Sequence, residues 1–397
     1  MADDPDSARR ANARGLVALR EGDSAAAVDA FSAATAADPG AGPLWRNLAH
    51  AHRMGGNPAN ERAALERALD IDRTDFVAQL RMAQLLERGG EELAAMRAWT
   101  AALQLAAALP QVPPPLAAEL DAGRDYVAEL QARLEAASQA ALAGLRNRLD
   151  ETEARRVRAF AEVASGKRQV FHNHCAGLHY PFLPADEFFD RRHFPWFGEL
   201  EAAAPAIRGE LAALLEAGDA LLRPYIRLDE GTPANLWSGL DGSLDWGACF
   251  LWEYGEPHAP ILERCPQTAA LLERLPLQRI PGRAPNAFFS LLRPGKHIPP
   301  HTGVTNTRTI VHLALDVPPD CGFRVGGETR EWTEGNAFAF DDTIEHEAWN
   351  RSDRRRAVLI LDTWNPHLSE REREAVAAHF AASDAALGGR AGNRSGL

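Results

Sequence analysis

Apolar and small residues recur at helical spacing along the first third of the chain, whereas along the last third they alternate with polar ones. Measured from Gly15, the positions Ala27, Phe31, Ala34 and Pro39 fall 12, 16, 19 and 24 residues on. Moving the register by 34 residues lands on Trp45, Leu48, Ala49, Leu65 and Ala68. Moving it again lands on Met82, Ala83, Leu86, Ala95, Trp99 and Ala102. Such spacing predicts paired helices that cross at small residues and bury one large residue per pair. The prolines of "LPQVPPPLAAEL" end this array at Pro110 to Pro115. Beyond them, Leu120, Val127, Leu130 and Leu134 predict one or two charged amphipathic helices over 116–165.

The pattern changes near Lys167. Seven short alternating segments follow, 286–292, 308–316, 322–325, 328–332, 336–340, 345–350 and 356–364. Gly326-Gly327 marks a two-residue hairpin and Glu334-Gly335 a further turn. Close spacing without intervening helices predicts an antiparallel barrel or jelly-roll. The first part, with its 34-residue period over 8–41, 42–75 and 76–109, resembles the tetratricopeptide repeat. Glu61 and Arg73 depart from that pattern, standing in the second repeat where a small residue and a proline are usual. The expected fold is therefore an α + β multidomain chain: a helical tetratricopeptide-repeat solenoid (1–112), a helical linker (113–166) and an antiparallel barrel or jelly-roll domain (167–397), which the family resemblance given below makes a double-stranded β-helix.

Composition narrows the partners. Of 397 residues, 46% are hydrophobic and 25% charged, as in a water-soluble globular chain. The net charge of −12 and the lack of a basic run argue against nucleic acid. No eighteen-residue apolar stretch predicts a membrane span. "MADDPDSARR" lacks the apolar core of a signal peptide. Cys175, Cys249, Cys265 and Cys321 form no CxxC pair and read as buried free thiols, so a reducing, cytoplasmic setting is expected.

Chemistry concentrates at two histidines. His301 follows "IPP", where proline restricts the backbone, and His346 follows the turn "FDDTIE" at the start of a strand. About five strands between them would circle a barrel and bring the two together. Two imidazoles with open positions suit iron(II), usually with a carboxylate two residues after the first histidine. Here that residue is Gly303, so water or another side chain such as Asp342 would complete the set. Arg356 opens the apolar strand "AVLILDTW", where a guanidinium calls for an anion. Ser290 lies on a neighbouring strand. Together they could bind one carboxylate of a dicarboxylic cosubstrate.

The stretches "SLLRPGKHIPPHTGVTN", "FRVGGETREWTEGNAFAFDDTIEHEAWN" and "RRRAVLILDTWNP" resemble the aspartyl/asparaginyl β-hydroxylases, iron(II)- and 2-oxoglutarate-dependent oxygenases on a double-stranded β-helix. Weaker likeness extends over about 170–375. The resemblance implies His301 and His346 as iron ligands and no carboxylate ligand. It also implies Ser290 and Arg356 at the distal carboxylate of 2-oxoglutarate, with His312 near the proximal one. The family's peptide hydroxylase has an arginine two residues before that histidine, where this chain has Ile310. Arg308, on the same strand face, is the expected partial substitute.

The activity so implied is hydroxylation of an aspartyl or asparaginyl residue in a protein or peptide presented by the repeats. A small-molecule or lipid hydroxylase and a non-catalytic binding protein are the alternatives. Lipid is disfavoured for want of an anchor, and halogenation, for which Gly303 leaves room, is a minor branch. Two features are expected to be structural. "FHNHCAGLH", with His172, His174, Cys175 and His179, fits no common zinc spacing and reads as a loop. Trp246, Trp252, Trp332, Trp349 and Trp364 read mainly as core.

Overall fold

The computed structural model describes residues 5–145, 148–216 and 218–386. The chain divides into two compact units, Met1–Ala161 and Glu162–Leu397. The first is three helical hairpins: α1 (Pro5–Glu21) with α2 (Ser24–Ala37), α3 (Gly42–Met54) with α4 (Pro58–Ile71), and α5 (Phe76–Arg88) with α6 (Glu92–Ala106). The longer α7 (Pro114–Ala143) follows, and α8 (Glu151–Ala164) runs across the boundary between the units.

The 34-residue period is visible in the backbone. Each hairpin turns at a left-handed glycine, Gly22, Gly56 or Gly90, and a side chain there would be strained. Asp23 and Asn57 then cap α2 and α4 by accepting from the amides of Ala26 and Asn60. Phe31, Leu65 and Trp99 occupy equivalent buried positions. Gly15 lets α1 cross directly over the Phe31 ring, which any Cβ at 15 would strike. Gly123 of α7 does the same for Trp99, and Leu120 joins the same core.

Glu61, the charged residue at a site usually small, is buried. Arg88 accounts for it by donating to both of its carboxylate oxygens at 3.0 and 3.1 Å.

In the second unit, α9 (Phe197–Ala202), α10 (Ala204–Glu216), α11 (Ala259–Leu262), α12 (Pro266–Arg274) and α13 (Glu370–Ala386) accompany eleven strands. These are β1 (Arg223–Pro224), β2 (Trp246–Glu253), β3 (Glu256–Pro257), β4 (Ala287–Leu292), β5 (Lys296–His301), β6 (Arg308–Asp316), β7 (Cys321–Val325), β8 (Glu328–Arg330), β9 (Ala337–Phe340), β10 (His346–Asn350) and β11 (Arg356–Trp364). A seven-stranded antiparallel sheet runs β1-β2-β4-β11-β6-β9, with β3 beside β2. A four-stranded one runs β5-β10-β7-β8.

Period-2 alternation decides which side each residue of the large sheet serves. Odd-numbered residues such as Phe289, Leu291, Val311, Leu313, Leu359 and Leu361 pack with Ile207, Leu211 and Leu214 of α10 and Leu271 of α12. Even-numbered Leu292, Ala314, Phe340 and Val358 pack with Ile298, Phe323, Val325 and Ala348 of the small sheet. Both faces are covered, which is why β11 is apolar almost throughout.

All seven expected strands are present. The turn at Gly326-Gly327 joins β7 to β8, with Val325 opposite Glu328. The sequence reading had no strand at β2 or β5. His301 ends β5, and four strands, not about five, separate it from β10. Among the described residues no helix is long and apolar enough to cross a membrane.

Candidate functional site

Even-numbered side chains of the large sheet and the near edge of the small one enclose a cavity of about 390 Å³. His301 and His346 stand directly opposite each other on the paired strands β5 and β10, with ring centroids 4.1 Å apart. They were expected to meet by circling a barrel; they meet as a registered cross-strand pair. The pairing slips by one residue between His346 and Ala348, so β5 carries an extra residue across Pro299-Pro300. Such a bulge re-aims a side chain, and prolines are tolerated because β5 is an edge strand.

Each imidazole is oriented in the same way. Nδ1 of His301 donates to the Pro299 carbonyl at 2.8 Å, and Nδ1 of His346 to the Ile344 carbonyl at 3.0 Å. That tautomer leaves Nε2 of each ring with its lone pair. Burial, with the neighbouring His346, holds His301 down to about 3; burial, with Arg324 and Arg308, holds His346 down to about 4. Both rings are neutral near pH 7, as metal ligation requires.

Arg356 is 1% exposed. Its guanidinium lies over the Trp332 ring at 4.9 Å, and its Nε has no hydrogen-bond partner. Burial lowers its pKa to about 10, so it remains a cation, with no counter-anion among the described residues. Ser290 lines the same end of the cavity, and its Oγ accepts from Trp246 Nε1 at 3.1 Å. The hydroxyl proton is thereby left for another acceptor.

His312 is buried on β6, stacked with Trp332 at 6.0 Å, and its Nδ1 is unpartnered. Burial and then Arg356 hold its pKa well below the usual histidine value. Three polar groups with spare capacity, Arg356, Ser290 and His312, thus line one cavity, whose apolar walls include Phe323, Phe340 and Ile360.

Arg308 lines the cavity with Ile310 and His312, as strand alternation predicts. Its Nη2 donates to Asp342 Oδ2 at 2.9 Å, and Asp362 lies 4.0 Å from Nη1. Burial opposes its charge, but these two carboxylates outweigh that and raise its pKa. Its charge is therefore already met. Gly303 has a packing reason to be glycine, since a Cβ would collide with the Asp342 carboxylate. Among the described residues no third His, Cys, Asp or Glu joins the histidine pair in a metal-binding group.

The remaining expectations fall outside the centre. His174 and Cys175 lie in a loop whose amides at Ala176 and Gly177 donate to the carbonyls of Gly303 and Val304. Gly177 and Leu178 of that loop wall the cavity, which the sequence reading missed. Cys175 is half-buried while the other three cysteines are buried, and all four are free. Trp246, Trp252 and Trp332 are core; Trp349 and Trp364 are half-buried. Trp246 also lines the cavity.

Residues 201–366 match the family described as aspartyl/asparaginyl beta-hydroxylase. The mouse aspartyl/asparaginyl beta-hydroxylase is 37% identical over 135 residues, 34% of this chain and 18% of that protein. An ornithine lipid ester-linked acyl 2-hydroxylase from Rhizobium tropici is 36% identical over 193 residues, 48% of this chain and 64% of that protein. The chain thus spans less than two thirds of either relative. Among solved structures, a yeast Sti1 tetratricopeptide-repeat domain in complex with an Hsp70 peptide overlays 31% of this chain and 98% of its own. Its TM-score is 0.29 and its identity 20%.

Proposed function

We propose, from the match of residues 201–366 to the family described as aspartyl/asparaginyl beta-hydroxylase, that the chain is an iron(II)- and 2-oxoglutarate-dependent dioxygenase. Its substrate on this reading is an aspartyl or asparaginyl side chain of a protein or peptide. The observation that carries the proposal is a histidine pair oriented through Nδ1, sharing a cavity with the buried Arg356 cation. Strand nesting supports it: β4 pairs β11, β5 pairs β10, β6 pairs β9 and β7 pairs β8. We read that order as the double-stranded β-helix. Four free thiols suit a reducing, cytoplasmic setting in which iron stays divalent.

In this reading Nε2 of His301 and of His346 hold the metal. Two neutral nitrogens and no carboxylate leave room for a chelating 2-oxo acid, water and O2. When bound, iron(II) with the 2-oxo acid and O2 supplies the oxidising power that turns C–H into C–OH, releasing CO2 and a shorter acid. The chain's own residues bind, orient and keep water away. Arg356, flat on Trp332, presents its fork to the distal carboxylate, and Ser290, held by Trp246, donates to the same group. His312 lies toward the proximal carboxylate. Arg308 is engaged by Asp342, so we assign it to holding that loop beside His301. Phe288, Phe323, Phe340 and Ile360 exclude water from the reacting carbon.

A second reading is hydroxylation of a lipid acyl chain. The longer match to the Rhizobium acyl hydroxylase favours it, as does the stacked wall of Tyr225, Phe250 and Phe288 along the cavity. Incubation with iron(II), 2-oxoglutarate and air beside Asp- and Asn-containing peptides and a lipid extract separates the readings. A gain of one oxygen on a peptide supports the first, and on an acyl chain the second. No oxygen transfer, with no succinate formed, overturns both.

A further inference from the structure

The cavity extends well beyond the groups that face the 2-oxo acid. Arg356 and Asp362 both line it from β11, six residues apart, which is about 20 Å of strand. At the Arg356 end the ladder sets Leu292 opposite Arg356 and Ser290 opposite Val358. At the Asp362 end it sets Ile310 on one side, and Asn286 is bonded to Asp362 on the other. A 2-oxo acid anchored at Arg356 ends well short of Asp362, which leaves the second end to the substrate.

Charge at that second end is already matched. Arg308 pairs with Asp342 and lies beside Asp362, Arg283 pairs with Asp384, and Glu253 pairs with Arg223. Asn286 is occupied too. Its backbone amide and Nδ2 donate to the two oxygens of Asp362 at 2.9 Å each, and its Oδ1 accepts from the Tyr254 amide. Gln278 differs from all of these. It is 3% exposed and lines the cavity, with its backbone amide directed to the Asp362 carbonyl. Its carboxamide makes no hydrogen bond with any described residue. The Nε atoms of Arg283 and Arg308 likewise lack acceptors. A buried carboxamide without partners disfavours the empty cavity, and a ligand that supplies them removes the penalty.

We propose that Gln278 is the specificity-determining residue of the substrate end, pairing its carboxamide with a neutral carboxamide of the substrate. Each group then offers the other one N–H and one carbonyl oxygen. A carboxylate offers acceptors only, meets no uncommitted cation here and faces Asp342, Asp362 and Glu253. The cavity therefore takes an asparaginyl side chain and refuses an aspartyl one. The inference rests on the peptide reading of the substrate.

The test uses the full chain and two capped tripeptides, Gly-Asn-Gly and Gly-Asp-Gly. Each is titrated calorimetrically against metal-free protein, and again with iron(II) and 2-oxoglutarate under nitrogen. The wild type binds the asparaginyl peptide at least about tenfold more tightly in both states. Gln278→Met, of similar size, loses that preference, and Gln278→Lys reverses it. Affinity for 2-oxoglutarate stays within about twofold of wild type in both variants, which separates specificity from a general loss of structure. If Gln278→Met melts lower than wild type, Gln278→Glu carries the test: it keeps the shape, gives up the N–H donor and weakens the asparaginyl peptide likewise. The proposal is overturned if neither peptide binds, if the wild type takes both equally or prefers Asp, or if the variants bind as the wild type does. Failure of the oxygenase reading has a different signature: no response to 2-oxoglutarate, with Gln278-dependent peptide binding intact in the metal-free chain.

Discussion

Arg356 is buried against the Trp332 ring and has no carboxylate partner among the described residues. A buried guanidinium without an anion destabilises the empty fold, and an apolar replacement of similar reach removes that cost. Arg356→Leu is therefore expected to raise the stability of the ligand-free protein by about 1 kcal/mol or more. It should also shrink the stabilisation that 2-oxoglutarate confers on the wild type. Melting curves with and without the 2-oxo acid check both signs; a less stable variant that responds as fully would contradict the assignment.

Asp341 makes a pH prediction at the same scale. Burial pushes its carboxyl up to about 7, against the hydrogen bonds from Thr343 and Asn173. The native state then keeps a proton that the unfolded chain has released, so stability falls as pH rises through 7. Relative to Asp341→Asn, the wild type should lose about 1.4 kcal/mol between pH 6 and pH 8. Urea unfolding at the two pH values measures it, and a pH-independent difference would refute the raised pKa.

Among the elements, β5 shows what a one-dimensional pattern leaves out. "KHIPPH" has two prolines, and its burial does not alternate cleanly, so nothing local marks it as a strand. It becomes one because β10 supplies its ladder, and a bulge absorbs Pro299 and Pro300. The fixed backbone inferred at His301 was sound, but its cause is pairing to β10. β2 was equally hard to read, since both of its faces are buried and alternation is lost.

The strands that were legible, β6, β9 and β11 among them, are bounded by turn residues or sit in long apolar runs. The site residues were legible through the family motifs, but the neutralisation of Arg308 by Asp342 was not, because those residues meet only in three dimensions. Gly322 offers an element-scale test. It lies opposite Trp349 in the β7–β10 ladder, and the indole covers the space a side chain would need. Gly322→Val should cost about 1–3 kcal/mol by overpacking. It should also loosen His346 on the same strand, seen as weaker metal binding in a titration. A variant as stable as wild type would show that the indole moves aside freely.

At the scale of the whole molecule, the two units have separate cores. Every residue lining the cavity lies at or beyond Gly177, inside the second unit. The first unit is stabilised by its own small-to-large helix contacts. Phe31 is fully buried under Gly15, so Phe31→Ala should destabilise that unit by about 3–5 kcal/mol. The affinity of the chain for 2-oxoglutarate should stay within about twofold of wild type. Calorimetry and cosubstrate titration on the same variant test the division, and loss of cosubstrate affinity would contradict it.

The central claim is that a histidine pair and a buried arginine jointly hold a metal and a 2-oxo acid. The most direct measurement needs no substrate: iron(II) and 2-oxoglutarate are added to metal-free protein without oxygen, and the visible charge-transfer absorption of a chelated 2-oxo acid is recorded. We expect a band in the wild type, none in His346→Ala, and one in Arg356→Leu that needs at least about tenfold more 2-oxoglutarate to reach half height. A folded wild type that gives no band, or variants that give it undiminished, would contradict the account.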